Sequence, residues 1–238
     1  SEIDMLPKLV TPKYDMIIPS TGETVTYRPY VVKEEKILLI AFETQNDTAI
    51  EKAVNNIIKE CVESPINIKK LTTFDVEYIF VTLRSKSVGE GIKINPSCEH
   101  CEEKSEQKVN LDKVIVKGLE KDIDMRVKLT DDISVDINWP TMKNKLTEED
   151  MKTGTDTLIN MVARSIGTIY SGEETYATKD APFKEVVRFV ESLNNDQFAK
   201  VINFMTDSPV LTYDLDYKCS ACGHQNVRQL KGLTDFFS

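Results

Sequence analysis

The stretches Cys98-Glu99-His100-Cys101 and Cys219-Ser220-Ala221-Cys222 decide how this chain folds. Each stretch offers two thiols from one turn, and two such turns supply the four ligands of a tetrahedral zinc site. The intervening 117 residues, 102 through 218, would then lie between two parts of one site. We therefore expect one structural Zn²⁺. Four thiolates leave no open coordination position, so the site should stabilise the fold and not catalyse a reaction. The predicted ligands are Cys98, Cys101, Cys219 and Cys222.

Short alternating segments flank both turns and predict two hairpins with thiols at their tips, the architecture of a zinc ribbon. A redox role would place a Cys-x-x-Cys pair between a strand and a helix, which this pattern does not favour. Disulfides, redox use and free thiols stay open as alternatives. The flanking segments are Ile92–Ile94 and Lys108–Leu111 for the first turn, and Tyr213–Tyr217 and Asn226–Leu230 for the second.

The remaining cysteine and the two histidines need separate interpretations. Cys61 continues the apolar face of a helix predicted over Asp47–Cys61, with Asp47 as its N-cap, so we expect it in the core. His100 and His224 lie in or beside the cysteine turns. We interpret them as exposed turn residues or donors to a thiolate, and the alternative that one of them is a metal ligand stays open.

The pattern along the chain predicts an α+β protein with two domains. Residues 1–88 are predicted to form an N-terminal hairpin and helical domain, and residues 89–238 a split zinc ribbon with an inserted helical and β segment at about 125–209. The N-terminal segments are strands at Tyr14–Ile18 and Thr24–Arg28 and helices at Lys33–Thr44, Asp47–Cys61 and Thr73–Leu83. The nearly continuous apolar run in Lys33–Thr44 predicts a helix buried on most sides.

The inserted segment is predicted to begin with another hairpin and to continue with helices. Its strands are Met125–Leu129 and Ile133–Ile137, and its first helix is Leu158–Ile169. Pro182 opens a second helix, and Asn194 with Gln197 resembles the capping box of a third.

Composition and charge limit the classes of partner that the chain can bind. The 238 residues carry a net charge of −9, so a polyanion would meet general repulsion and we expect no nucleic acid as a partner. We find no apolar run long enough to span a membrane and no signal-peptide pattern, which predicts a cytoplasmic protein that does not bind membranes. Protein partners are the expectation, and an oligomer stays open. The adjacent aromatics Phe236 and Phe237 are candidate partner contacts, with packing on the chain's own core as the alternative.

Several short segments occur in a fixed order along the chain. They are Leu6–Leu9, Pro12-x-Tyr14, Ile18–Gly22, Arg28–Tyr30, Val32–Lys36, Cys98/Cys101, Trp139–Thr141, Ser192–Asn194 with Gln197–Phe198, Cys219/Cys222, and Gly232-Leu233-x-Asp235–Phe237. The most specific are the Arg-Pro-aromatic segment with its following charged run, and the second cysteine pair with the closing Asp-Phe-Phe. In this order the segments resemble the T4-type baseplate hub assembly family of contractile-tailed phages.

The resemblance implies a non-enzymatic protein that helps build the central hub of the tail baseplate through contacts with other hub proteins. It would work in the host cytoplasm during assembly, either as a hub subunit that stays in the virion baseplate or as a chaperone that leaves. A zinc-ribbon accessory factor for a transcription or nucleic-acid machine is the alternative. A metal-dependent or thiol enzyme is the third interpretation, although the chain lacks a phosphate-binding glycine loop and a nucleophile–base set.

Overall fold

The computed structural model describes residues 7, 9–119, 124–146, 150 and 154–237, and it has the predicted α+β class. Its strands are β1 Tyr14–Ile17, β2 Thr24–Tyr27, β3 Gly91–Ile94, β4 Gln107–Asn110, β5 Ile115–Lys117, β6 Arg126–Lys128, β7 Ile133–Ile137, β8 Ile166–Ser171, β9 Glu174–Ala177, β10 Val210–Lys218 and β11 Gln225–Lys231. Its helices are α1 Val32–Glu43, α2 Asp47–Cys61, α3 Thr73–Val88, α4 Gly154–Ser165, α5 Phe183–Glu191, α6 Asn195–Thr206 and α7 Gly232–Phe237. Residues 1–6 and 8, which include part of the Leu6–Leu9 segment, lie outside the described residues.

Contacts between Cα atoms divide the chain into two compact units. The first comprises the described residues of 1–68, 74–116 and 211–238, and the second those of 69–73 and 117–210. Both cysteine hairpins therefore belong to the same unit as the N-terminal helices. The domain boundary at residue 89 stays a prediction.

The N-terminal segments form the predicted hairpin and three helices. Strands β1 and β2 pair antiparallel, and helices α2 and α3 bury their apolar faces. Cys61 ends α2 with no exposed surface, as expected of a core residue. The N-cap of α2 is Asn46 rather than Asp47, because the Asn46 side chain accepts a hydrogen bond of 2.9 Å from the Ala49 amide.

Helix α1 is exposed along much of its surface, and the prediction of burial on most sides is wrong. Leu38 and Ala41 are buried, whereas Ile37, Leu39 and Ile40 are each at least 50% exposed. An unbroken apolar run does not say how many neighbours a helix has, and α1 packs chiefly against α2. The run therefore supplies both a core contact and an exposed apolar face.

Both cysteine hairpins form as predicted and share one hydrophobic core. Strand β3 pairs with β4, and β10 pairs with β11, all antiparallel. An unpredicted strand, β5, joins the free edge of β10 and makes a sheet of three. The core includes residues from α3, both hairpins, the segment between β4 and β5, and α7: Val81, Ile92, Ile94, Val109, Leu111, Val114, Leu211, Leu215, Tyr217, Leu230 and Phe236.

The second unit contains a four-stranded antiparallel sheet in the order β6-β7-β8-β9 with its own core. The helix predicted over Leu158–Ile169 ends at Ser165, and residues 166–171 form strand β8 instead. Pairing with β7 and β9 overrides the helical spacing of its apolar residues. A Cβ on Gly167 would lie 2.2 Å from Nδ2 of Asn138, so any larger residue there would require the Asn138 side chain to move.

The helical part of the second unit follows the remaining sequence predictions. Helix α5 begins directly after Pro182. Asn194 and Gln197 form the predicted capping box, in which each side chain accepts a 2.9 Å hydrogen bond from the other's backbone amide. In the part of the chain that the structure describes, no helix combines the length and apolarity needed to cross a membrane.

Candidate metal centre

The four paired cysteines converge on one point. Their sulfur atoms all lie within 4.8 Å of one another, although 117 residues separate the two turns. The Cys98–Cys222 and Cys101–Cys219 sulfur pairs are each 3.7 Å apart. A tetrahedral site with metal–sulfur bonds of about 2.3 Å has sulfur–sulfur edges of about 3.8 Å, whereas a disulfide requires about 2.05 Å. The cluster is therefore a set of free thiols that can bind one metal ion.

The two turns have the same backbone hydrogen bonds. The amide of the first cysteine donates to the carbonyl five residues on, over 2.9 Å from Cys98 to Glu103 and 2.8 Å from Cys219 to His224. The amides of Glu102 and Gly223 return 2.9 Å bonds to the carbonyls of Cys98 and Cys219. Both residues have positive φ, 62° for Glu102 and 75° for Gly223. The turn without a glycine after its second cysteine therefore adopts the same conformation as the turn that has one.

One cysteine of each turn is buried and the other exposed: Cys98 and Cys219 are buried, Cys101 and Cys222 exposed. Burial opposes ionisation of Cys98, but hydrogen bonds from the amides of Cys101 and His100 and from Asn226 outweigh it and lower the pKa of the thiol to about 6. Backbone amides of the second turn likewise lower the pKa of Cys219.

Cys101 behaves in the opposite way. A hydrogen bond from the Glu103 amide favours its thiolate, but the neighbouring sulfurs, led by Cys222, outweigh it and raise the pKa of Cys101 to about 12. The pKa of Cys101 is therefore raised while those of Cys98 and Cys219 are lowered, because ionised sulfurs this close to one another repel further negative charge. A divalent cation at the centre offsets this repulsion, so the donor set fits a metal ion.

Sequence reasoning missed one residue of this centre, Asn226. Its side chain is 1% exposed, and its Nδ2 lies 3.6 Å from the sulfur of Cys98. Its only sequence signal is a polar amide on the strand that follows a cysteine turn. That signal does not distinguish a buried contact to sulfur from an ordinary exposed strand residue.

The two histidines lie at the surface beside the cluster. Both are exposed, and their rings stack with centroids 5.5 Å apart and planes 22° from parallel. Among the described residues, the group that could bind a metal ion consists of the four cysteines and includes neither histidine. This arrangement matches the interpretation of His100 and His224 as exposed residues of the turns.

The family follows from the whole sequence. A model of the T4 bacteriophage base plate protein family matches residues 11–238. The chain belongs to this family. It is also 22% identical over 228 residues to the baseplate hub assembly protein gp26 of Enterobacteria phage T4, a match that covers 94% of this chain and 97% of that protein. No solved structure matches the chain.

In this member of the base plate family, the Arg-Pro-aromatic segment has a structural role. The Arg28 guanidinium donates a 3.0 Å hydrogen bond to the carboxylate of Glu34, which is almost fully buried. The other oxygen of Glu34 accepts from the amide of Val31 over 2.8 Å at the start of α1. Burial opposes ionisation of Glu34, but these two hydrogen bonds outweigh it and hold its pKa below the ordinary value.

The closing aromatics of this base plate protein lie in α7. Phe236 is 2% exposed and belongs to the core shared by the cysteine hairpins. Phe237 packs against that core, with its ring centroid 5.6 Å from Phe80 and 6.2 Å from Phe42. A partner contact through Phe236 and Phe237 stays a prediction, and in this conformation it would require α7 to leave the core.

Proposed function

We propose that this chain is a non-enzymatic protein of the phage tail baseplate hub, which acts in assembly of the hub through contacts with other hub proteins. The observation that carries this proposal is the family match over residues 11–238, supported by similarity to a protein named for hub assembly. The net charge of −9 disfavours a nucleic-acid partner and hence the alternative of a transcription accessory factor.

The metal of this proposal is one structural Zn²⁺ held by Cys98, Cys101, Cys219 and Cys222. Four thiolates at the spacing of a tetrahedron are the ligand set typical of structural zinc. Such a set leaves no position for water or substrate, which supports a staple rather than a reactive centre. The ion would hold together two hairpins that are far apart in sequence.

Co-expression tests the hub function. The chain, tagged, is produced together with the other hub proteins of its phage, and recovered complexes are weighed by native mass spectrometry. A complex of defined mass with hub proteins is the expected result. Recovery of the chain alone under conditions that assemble the remaining hub would contradict the proposal. Mass spectrometry of finished particles then separates a retained subunit from an assembly factor that leaves.

Metal analysis tests the zinc assignment. Purified protein should contain one zinc per chain, with all four paired cysteines protected from alkylation, and cobalt substitution should produce the absorption of a four-thiolate tetrahedral site. Protein free of metal with reactive thiols would refute the assignment. Binding to DNA or RNA that falls steeply with salt would instead support the accessory-factor alternative.

A further inference from the structure

Asn226 is a buried amide between the two cysteine turns. It lies near the start of β11, opposite Tyr217 of β10, and belongs to the second hairpin. Although it is a polar side chain, only 1% of its surface is exposed. A buried amide needs hydrogen-bond partners at both of its ends, so its contacts indicate its role.

The carbonyl end of Asn226 reaches the first turn. Its Oδ1 accepts a 3.0 Å hydrogen bond from the backbone amide of Glu99, which lies between the first two predicted ligands. Glu99 is 127 positions away in the sequence. The bond therefore ties the first turn directly to the second hairpin without passing through a sulfur atom.

The amino end of Asn226 reaches both turns. Its Nδ2 donates to the carbonyl of His224 over 3.2 Å and lies 3.6 Å from the sulfur of Cys98. An amide N–H can only donate and a carbonyl can only accept, so Glu99 and His224 together determine which end of the side chain faces the sulfur. The Cys98 sulfur therefore receives a hydrogen-bond donor from Asn226.

We propose that Asn226 is a positioning residue that holds the Cys98 turn against the Cys219 turn at the separation a metal ion requires. This inference rests on the proposed zinc site. Hydrogen bonds to a ligand orient it and stabilise its charged form, and loss of such a partner usually weakens metal affinity by roughly 10–100-fold. In this chain the same side chain also fixes the relative position of two turns that no local segment connects.

Tyr217 provides a matched control. Its hydroxyl donates to the carbonyl of Ser97 over 3.3 Å, so it also links the second hairpin to the residue before Cys98. It is 6% exposed and lies opposite Asn226 in the sheet. Tyr217→Phe removes one hydrogen bond between the hairpins and leaves the Asn226 contact to sulfur in place.

The experiment measures the zinc concentration at which the full chain binds and folds, with a competing chelator as buffer. This concentration can also be measured for a variant whose metal-free form is unfolded. Asn226→Ala should need roughly 10–100-fold more free zinc than the wild type. Asn226→Asp, which keeps the shape but points a carboxylate oxygen at the sulfur, should be at least as impaired, and Tyr217→Phe should change the midpoint much less. Cobalt spectra of the Asn226 variants should shift in their sulfur charge-transfer bands, whereas that of Tyr217→Phe should match the wild type.

The outcomes separate the inference from the function on which it rests. Wild-type zinc affinity and cobalt spectrum in Asn226→Ala would overturn the positioning role while leaving the zinc site intact. Equal losses in Asn226→Ala and Tyr217→Phe, with unchanged spectra, would also overturn it, because they indicate general loosening of the hairpins. A wild-type chain that binds no metal would overturn both proposals.

Discussion

At the scale of single residues, Glu102 and Gly223 occupy corresponding positions of the two turns at different cost. Both have positive φ, a conformation that costs a residue with a Cβ about 1 kcal/mol and glycine little. Glu102→Gly should therefore raise the free energy of unfolding by about 0.5–1 kcal/mol, and Gly223→Ala should lower it by about 1 kcal/mol. Denaturant unfolding of both zinc-loaded variants checks this. Destabilisation by Glu102→Gly would show that the Glu102 side chain makes a stabilising contact.

The buried thiol of Cys61 should make the protein less stable at alkaline pH. Burial raises the pKa of its thiol from 9.0 to about 11, so the folded state holds this proton more tightly than the unfolded state. The resulting stability is complete below pH 9 and is lost as the pH rises toward 11. Cys61→Ala should cost about 1–2 kcal/mol at pH 7 through lost packing. Zinc content should not change.

The free energy of unfolding of the wild type exceeds that of Cys61→Ala, and this difference should shrink by up to about 2 kcal/mol between pH 8.5 and 10.5. Only the wild type has the Cys61 thiol, whose ionisation favours the unfolded state. Urea unfolding at several pH values measures the difference. The tyrosines and the paired cysteines are common to both proteins and cancel in the comparison. A difference that stays constant with pH would mean that Cys61 ionises as readily in the folded state as in the unfolded one.

At the scale of elements, the start of α1 depends on one buried carboxylate. Glu34→Gln removes the charge that Arg28 and the Val31 amide bind, and should cost about 2–3 kcal/mol at pH 7. The pKa of Glu34 is lowered by its partners, so its contribution is present at neutral pH and lost as the pH falls through the folded-state pKa. Thermal unfolding should therefore show the two proteins converging at acid pH. Equal stabilities at pH 7 would contradict this account.

In two elements, β8 and α1, the spacing of apolar residues along the chain predicts the wrong structure or the wrong burial. The residues of β8 continue the helical spacing of α4, yet they pair with β7 and β9 as a strand. Ile37, Leu39 and Ile40 continue the apolar run of α1 and are nevertheless exposed. In both cases packing against neighbouring elements decides the outcome, and the spacing of apolar residues within the segment does not specify that packing.

At the scale of the whole molecule, loss of metal should unfold one unit and spare the other. The four cysteines and the core around both hairpins belong to the first unit, and that core includes Val81 of α3. The core of the second unit consists of residues between 129 and 201. Cys222→Ser should abolish zinc binding and lower the free energy of unfolding of the first unit by more than about 5 kcal/mol.

Hydrogen exchange measured by mass spectrometry resolves the two units. In Cys222→Ser, exchange should increase across both cysteine hairpins and α3, while β7, β8 and α5 keep their protection. Uniform loss of protection would show that the two units fold together, and retained zinc with an unchanged melting temperature would show that Cys222 is not a ligand.

The two cysteine hairpins, the four candidate ligands, most helix positions and the family could be predicted from the sequence, because each depends on spacing within a short segment or on residues in a fixed order. Three features could be read from the folded chain alone: Asn226 faces the sulfur of Cys98, β5 completes the sheet of the second hairpin, and Phe236 lies in the core. Each of these depends on a partner far away in the chain: 128 positions separate Asn226 from Cys98. Local pattern specifies which face of a segment is apolar or polar, whereas packing of distant segments specifies what that face meets.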